Sequence, residues 1–197
     1  VSDGEEERSS NKGVPQYPGS NIRELIWNDE LAWIAQKWAD QCIYEHESLV
    51  KPKKKGKRNL CSRTYVVGQN LYYSNRFKTK NSLDDWRRAI RGWFNEVRHL
   101  PAEQIKHLGR PKTKEVVNHY TTLMWAITNE IGCGAVYYSG GGYKLPDGNY
   151  NKGRILVCNY GPGGNIINAP VYKIGPAASE CEHGKSLLYP SLCKGQP

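Results

Sequence analysis

The chain has 197 residues, a net charge of +9, six cysteines and a mean hydropathy of -0.71, which suits one domain with a substantial core. No apolar run is long enough to cross a bilayer, so a helical membrane span is excluded. No CxxC pair and no Cys/His cluster at ligand spacing occurs, which argues against zinc, and six cysteines favour an oxidising compartment. No signal peptide is visible, and the chain reads as a mature one.

Residues 1–20 are polar and rich in Gly, Pro, Ser and Glu, and read as a flexible arm carrying the acidic run Glu5-Glu6-Glu7. Asn28 is placed to cap a helix reaching about Cys42, with Leu31, Ile34, Ala35, Trp38 and Cys42 on one apolar face. The run KPKKKGKR follows, with Lys51, Lys53, Lys54, Lys55, Lys57 and Arg58 in a Pro- and Gly-containing loop. Six cations packed this densely repel one another, so the loop is either a solvated face or a docking patch for heparan sulfate, acidic lipid or acidic protein. Nucleic acid is disfavoured, because no DNA- or RNA-binding motif accompanies the patch.

A second helix is predicted from Ser82 to about Leu100. Asp84 and Asp85 suit its positive end, Leu83, Trp86, Ile90, Trp93, Phe94 and Val97 form its stripe, and Pro101 stops it. A shorter helix is predicted over Tyr120–Ala126. Strands follow near Ile131–Tyr138 and Arg154–Tyr160, with a glycine-rich loop between them and an edge strand at Val171–Ile174. This order fits a layered α+β domain over 21–174. Residues 175–197 form a small extension closed by Cys181 and Cys193. Cys133 and Cys158 lie in neighbouring strand-like runs and are expected to pair, which leaves Cys42 with Cys61 by elimination.

The run ILVCNYGPGGNI, Ile155–Ile166, combines a strand ending in Cys158 with a Gly161-Pro162-Gly163-Gly164 turn and Asn165. It resembles a signature of the CAP superfamily, the secreted group of venom allergens (antigen five), cysteine-rich secretory proteins and plant pathogenesis-related proteins. Asn118–Thr128, NHYTTLMWAIT, resembles that family's other signature at His119, Tyr120, Thr121, Leu123, Met124, Trp125 and Thr128. It departs at Asn118, where Gly is usual, and at Thr122, where Gln is usual. Three weaker matches fall in family order: Trp27–Cys42, Val67–Asn70 and Glu130–Tyr138. The tail Tyr189-Pro190-Ser191-Leu192-Cys193 resembles extensions of arthropod members.

The resemblance implies a three-layer α-β-α sandwich and a cleft lined by two His and two Glu, which binds a divalent metal in some members. It places His119 at one histidine and Glu96 at one glutamate, with Gln69 where the second glutamate is usual. It assigns the second histidine to a first helix that this sequence does not show. It also implies that cysteines near Cys42 and Cys61 bond to an N-terminal segment not found here. Gln is a weaker zinc ligand than a carboxylate, so a metal is expected to bind weakly if at all, and His119 reads first as a structural imidazole bonded to Glu96.

No GxSxG elbow occurs, and Ser62, Ser74 and Ser139 have no reason to be activated, so an enzyme is not expected. The function implied is a secreted, monomeric binding protein of the venom or salivary allergen type. Its partner is a small hydrophobic ligand (lipid, sterol or eicosanoid) or a host protein or polyanion. Trp86, Trp93, Phe94, Tyr72 and Tyr73 are the candidates to line an apolar channel, although the helix-borne Trp86, Trp93 and Phe94 read first as core. No RGD or KGD occurs to support integrin binding. If the basic loop docks polyanions, the protein elutes late from heparin, and neutralising its six cations moves elution to lower salt; unchanged elution of that variant removes the loop from consideration.

Overall fold

In the computed structural model, helix α1, Asp29–Ala39, starts where expected, with Asn28 Oδ1 accepting from Leu31 N at 3.0 Å. Asp29 and Glu30 in its first turn and Lys37 in its last complement the helix dipole. Leu31, Ala35 and Ala39, four residues apart, are fully buried. The residues described are 16–46, 65–75, 82–110, 115–139 and 152–196. The basic run Lys51–Arg58, Cys61, Ser62 and most of the Ser139–Gly153 loop lie outside them.

A four-stranded sheet forms the middle layer. Strands β1 (Ile26–Trp27), β2 (Gly68–Ser74), β3 (Glu130–Ser139) and β4 (Lys152–Gly161) lie in the order β1-β3-β4-β2. β1 runs parallel to β3, and the other pairings are antiparallel. Side chains of β4 alternate between two clusters. Ile155 and Val157 pack with Ala35 and Ala39 of α1. Leu156, Cys158 and Tyr160 pack with Ala89 and Trp93 of helix α2, Ser82–Phe94. Period-2 alternation therefore places a helix on each face, and the three-layer α-β-α sandwich is observed.

α1 lies very close to β3. A Cβ on Gly132 would collide with the backbone of Ala32, and one on Gly134 with the backbone of Gln36. Gln36 uses that proximity. Its Oε1 accepts from Ala135 N at 3.0 Å and its Nε2 donates to Ala135 O at 2.9 Å, pairing the strand backbone beyond the end of β1.

Three expectations are corrected. The second helix does not run to Leu100 as one α-helix. α2 stops at Phe94 and a 3₁₀ turn, Asn95–His99, continues to Leu100, which is extended ahead of Pro101 as a residue before proline prefers. Its buried stripe is also rotated. Asp85, Ala89, Trp93 and Val97 face inward, whereas Leu83 and Ile90 are exposed. Asp85 is the reason: its carboxylate pairs with the Arg154 guanidinium at the start of β4, and both are buried. Finally, Val171–Ile174 makes no strand, only an isolated bridge between Gly19 and Ile174. Its backbone is engaged elsewhere, with Val171 N donating to Ile105 O and Ala126 N donating to Val171 O.

Residues 16–20 and the described part of the extension pack on the domain. Gln16 and Ser20, assigned to the arm, are buried, and Gln16 Nε2 donates to Leu100 O at 3.2 Å. The extension is tied to residues 22–24, with Cys193 N donating to Ile22 O at 2.8 Å and Glu24 N to Cys193 O at 2.9 Å. Cys133–Cys158 joins residues directly opposite on β3 and β4, and Cys181–Cys193 closes the tail, both as expected. α1 stops at Ala39, short of Cys42, which sits in the following turn at φ 56° as a buried thiol with no disulfide partner among the described residues and a pKa that burial pushes up; Cys61, its expected partner, lies outside them.

Asp85→Ala would take the carboxylate partner from the buried Arg154 guanidinium, and is expected to lower unfolding free energy by about 3–5 kcal/mol in urea titrations. The double variant Asp85→Leu, Arg154→Met is expected to recover much of that loss. A single variant within 1 kcal/mol of wild type would show the pair to be dispensable.

Candidate functional site

A cleft of about 320 Å³ opens at the end of the sheet, between β2 and helix α3, Asn118–Met124. His46, Gln69, Asn70, Asn118, His119 and Asn159 are among its walls. His119 sits in the first turn of α3. No side chain of the preceding residue caps that helix. Glu96, on the 3₁₀ turn, does so instead: its Oε2 accepts from His119 N at 3.0 Å and from Tyr120 N at 3.2 Å. Its Oε1 contacts His119 Nδ1 at 2.6 Å. One carboxylate thus serves three donors, and it fixes the ring as well as the helix end. Trp93 stacks on the same imidazole, with centroids 6.2 Å apart.

The second histidine is present, and the expectation that it belongs to a missing first helix is corrected. His46, just beyond α1, places Nδ1 3.2 Å from Gln69 Oε1. Gln69 Nε2 donates to Asn159 Oδ1 at 3.1 Å, on the residue opposite it in β4. Each imidazole is therefore oriented through Nδ1 by a side-chain oxygen, and each Nε2 has no partner among the described residues. No local signal in the sequence marked His46, which sits in a short polar turn beyond α1 and meets Gln69 only through the fold. Asn165 was also missed. It adopts φ 59°, a conformation asparagine tolerates, at the end of the glycine-rich turn. There it accepts from Thr121 Oγ1 at 2.6 Å and donates to Thr122 Oγ1 at 2.8 Å and Asn118 O at 3.0 Å. The two positions that depart from the family signature, Asn118 and Thr122, are both held by this residue.

The chemistry of the site is polar and largely neutral. Asn70 is buried, donates to His119 O at 3.1 Å and to the Tyr160 hydroxyl at 3.4 Å, and keeps Oδ1 unpaired. Burial drives the Tyr160 phenol pKa well above its usual value, so it stays protonated. The hydroxyl on the cleft wall, Thr122 Oγ1, donates to Asn118 O at 2.8 Å and contacts neither imidazole. Among the described residues no group of three or more His, Cys, Asp or Glu is placed to hold a metal. The cleft's imidazole nitrogens are those of His46 and His119, and Gln69 and Glu96 meet their Nδ1 atoms as orienting groups.

The five aromatic candidates are not brought together around this cleft. Trp86, Trp93 and Tyr72 pack in the core beneath α2, Phe94 packs against Tyr120 in a separate cluster, and Tyr73 packs with Tyr44 on the α1 side. Trp93 Nε1 donates to Leu71 O at 3.0 Å, which ties α2 to β2.

Residues 6–160 match the cysteine-rich secretory protein (CAP) family. The chain belongs to that family. It is similar to scoloptoxin SSD976 of Scolopendra dehaani, at 36% identity over 90% of this chain and 72% of that one. It is also similar to venom allergen 5 of Dolichovespula arenaria, at 39% identity over 81% of this chain and 67% of that one. The crystal structure of NaASP2 with Zn2+ superposes with a TM-score of 0.72 at 21% identity, covering 98% of this chain and 86% of that one. That likeness shows the CAP fold.

Because Glu96 anchors α3, Glu96→Ala is expected to cost about 1–3 kcal/mol of stability and to free the His119 ring. Chemical denaturation and the imidazole resonances in NMR report the two effects separately. Asn165→Ala is expected to loosen α3 with a similar cost while leaving the His46 resonances in place; a fully native spectrum for both variants contradicts this account.

Proposed function

We propose that this chain is a secreted, non-enzymatic binding protein of the venom-allergen type, and that its CAP cleft takes a polar ligand or a weakly held divalent cation. The observation that carries the reading is the pair of imidazoles on one cleft, each oriented through Nδ1 by a neighbouring side chain. That is an arrangement for presenting Nε2 atoms, not for activating a nucleophile. The cleft's hydroxyl, Thr122, donates to a backbone carbonyl rather than to a base. Dispersal of the five aromatics through the core favours a polar ligand over a lipid. Export fits the two disulfides and relatives named as toxins and venom allergens. Among the described residues no helix is long and apolar enough to cross a membrane.

Titration of the purified protein with Zn2+, followed by calorimetry and histidine NMR, tests this reading. Weak binding is expected, lost in His46→Ala and in His119→Ala while the fold persists. Gln69→Glu adds a carboxylate beside His46 and is expected to tighten binding by about tenfold or more. Binding that survives both histidine variants would place the cation elsewhere, and peptide or ester hydrolysis that vanishes with His119→Ala would make the protein an enzyme.

A further inference from the structure

The tail carries the largest unexplained apolar exposure in the described structure. Leu187, Leu188 and Tyr189 are consecutive, and 97%, 79% and 57% of their surface is open. Scattered exposed leucines are ordinary, but three adjoining large apolar residues at a loop tip, followed by exposed Pro190, are not. The tip is also not a loose end. Ser186 is buried, and its Oγ accepts from Leu188 N at 3.2 Å and Tyr189 N at 3.0 Å while donating to Glu24 Oε2 at 2.5 Å. Leu192 N donates to Tyr189 O at 2.8 Å and Ser186 N to Leu192 O at 2.9 Å, closing the loop on itself. Cys181–Cys193 fastens its base.

Charge around that base is mixed with a positive excess. Lys185 and Lys194 are exposed, and Lys185 bridges Cys193 in the backbone, so the two cations flank the root of the loop. Of the nearby carboxylates, Glu182 pairs with Arg23 at 2.7 Å and Glu180 with Lys173 at 2.9 Å, while Glu24 accepts from the Ser186 hydroxyl. The whole chain is cationic, at +9.

We propose that the Leu187–Tyr189 tip is a membrane-docking element that inserts into the outer part of an anionic phospholipid bilayer. A convex apolar tip needs an occupant that can close around it, and the headgroup–acyl boundary does so without a matching pocket. Tyr189 suits the headgroup level, with an apolar ring and a polar end. Lys185 and Lys194 keep their stems along the tip and their ammonium groups at the lipid phosphates. The fixed loop means that little backbone freedom is lost on insertion. This surface is separate from the imidazole cleft and does not depend on the function proposed for it.

The test uses the full chain and protein-free vesicles of phosphatidylcholine with about one third phosphatidylserine, scored by co-sedimentation. Wild type is expected to bind, more weakly at high salt and poorly to phosphatidylcholine alone. Leu187→Ser with Leu188→Ser is expected to lower partitioning by about tenfold or more, and Lys185→Glu with Lys194→Glu by a similar factor. These side chains are exposed, so an unchanged melting temperature confirms that neither pair unfolds the protein. Leu188→Trp adds a direct reporter, whose emission is expected to shift to the blue and to be quenched by brominated lipid. The proposal is overturned by three results: no vesicle binding by wild type, binding that depends only on the Lys51–Arg58 cations and ignores Leu187 and Leu188, or a tip that mediates dimers in sedimentation analysis while Leu188→Trp stays unquenched on vesicles.

Discussion

β4 is covered on both faces from Gly153 to Gly161, and that single constraint organises the rest of the domain. A strand so placed has no water to satisfy its polar side chains, so each must find a protein partner. Arg154 finds Asp85 and thereby sets the rotation of α2. Asn159 accepts from Gln69 and donates to Leu31 O at 3.4 Å, which links β2 to α1 through the sheet. The same strand carries the cross-strand disulfide and runs into the turn that ends in Asn165. Helix rotation, helix position and the back wall of the cleft all follow from where β4 puts its few polar groups.

The cleft is made in the same way. Several polar wall side chains are held by polar groups on another element: His46 by Gln69, Gln69 by Asn159, and His119 by Glu96. Glu96 shows the economy of this design, since one carboxylate both starts α3 and orients His119. The described walls are thus set in place by the protein itself rather than by a ligand.

Much of this was legible in the sequence where local chemistry and tertiary packing agree. The Asn28 cap, the apolar face of α1 and strands β3 and β4 follow from spacing and capping residues alone. The Cys133–Cys158 and Cys181–Cys193 pairs follow from their neighbourhoods. Reading failed where a polar residue went inward. A hydrophobic stripe assigned to α2 assumed that aspartate stays outside, but the buried Asp85–Arg154 pair turned Leu83 and Ile90 to solvent. Val171–Ile174 looks like a strand because it is apolar, but its backbone bonds are shared among loops, which no periodicity encodes. His46 lay in a short polar turn whose position depends on how α1 meets β2, a purely tertiary matter.

The tail's attachment has a consequence for the order in which the molecule can be completed. Cys193 bonds through its backbone to Ile22 and Glu24, and Asn129 Nδ2 donates to Gly195 O at 2.7 Å. Residues near one end of the chain thus wait on residues near the other. During synthesis the backbone of Ile22 and Glu24 lacks its final partner until the tail has emerged. The tail therefore acts as a latch on Ile22 and Glu24, and a nascent chain in which it has not yet emerged leaves that segment only partly secured.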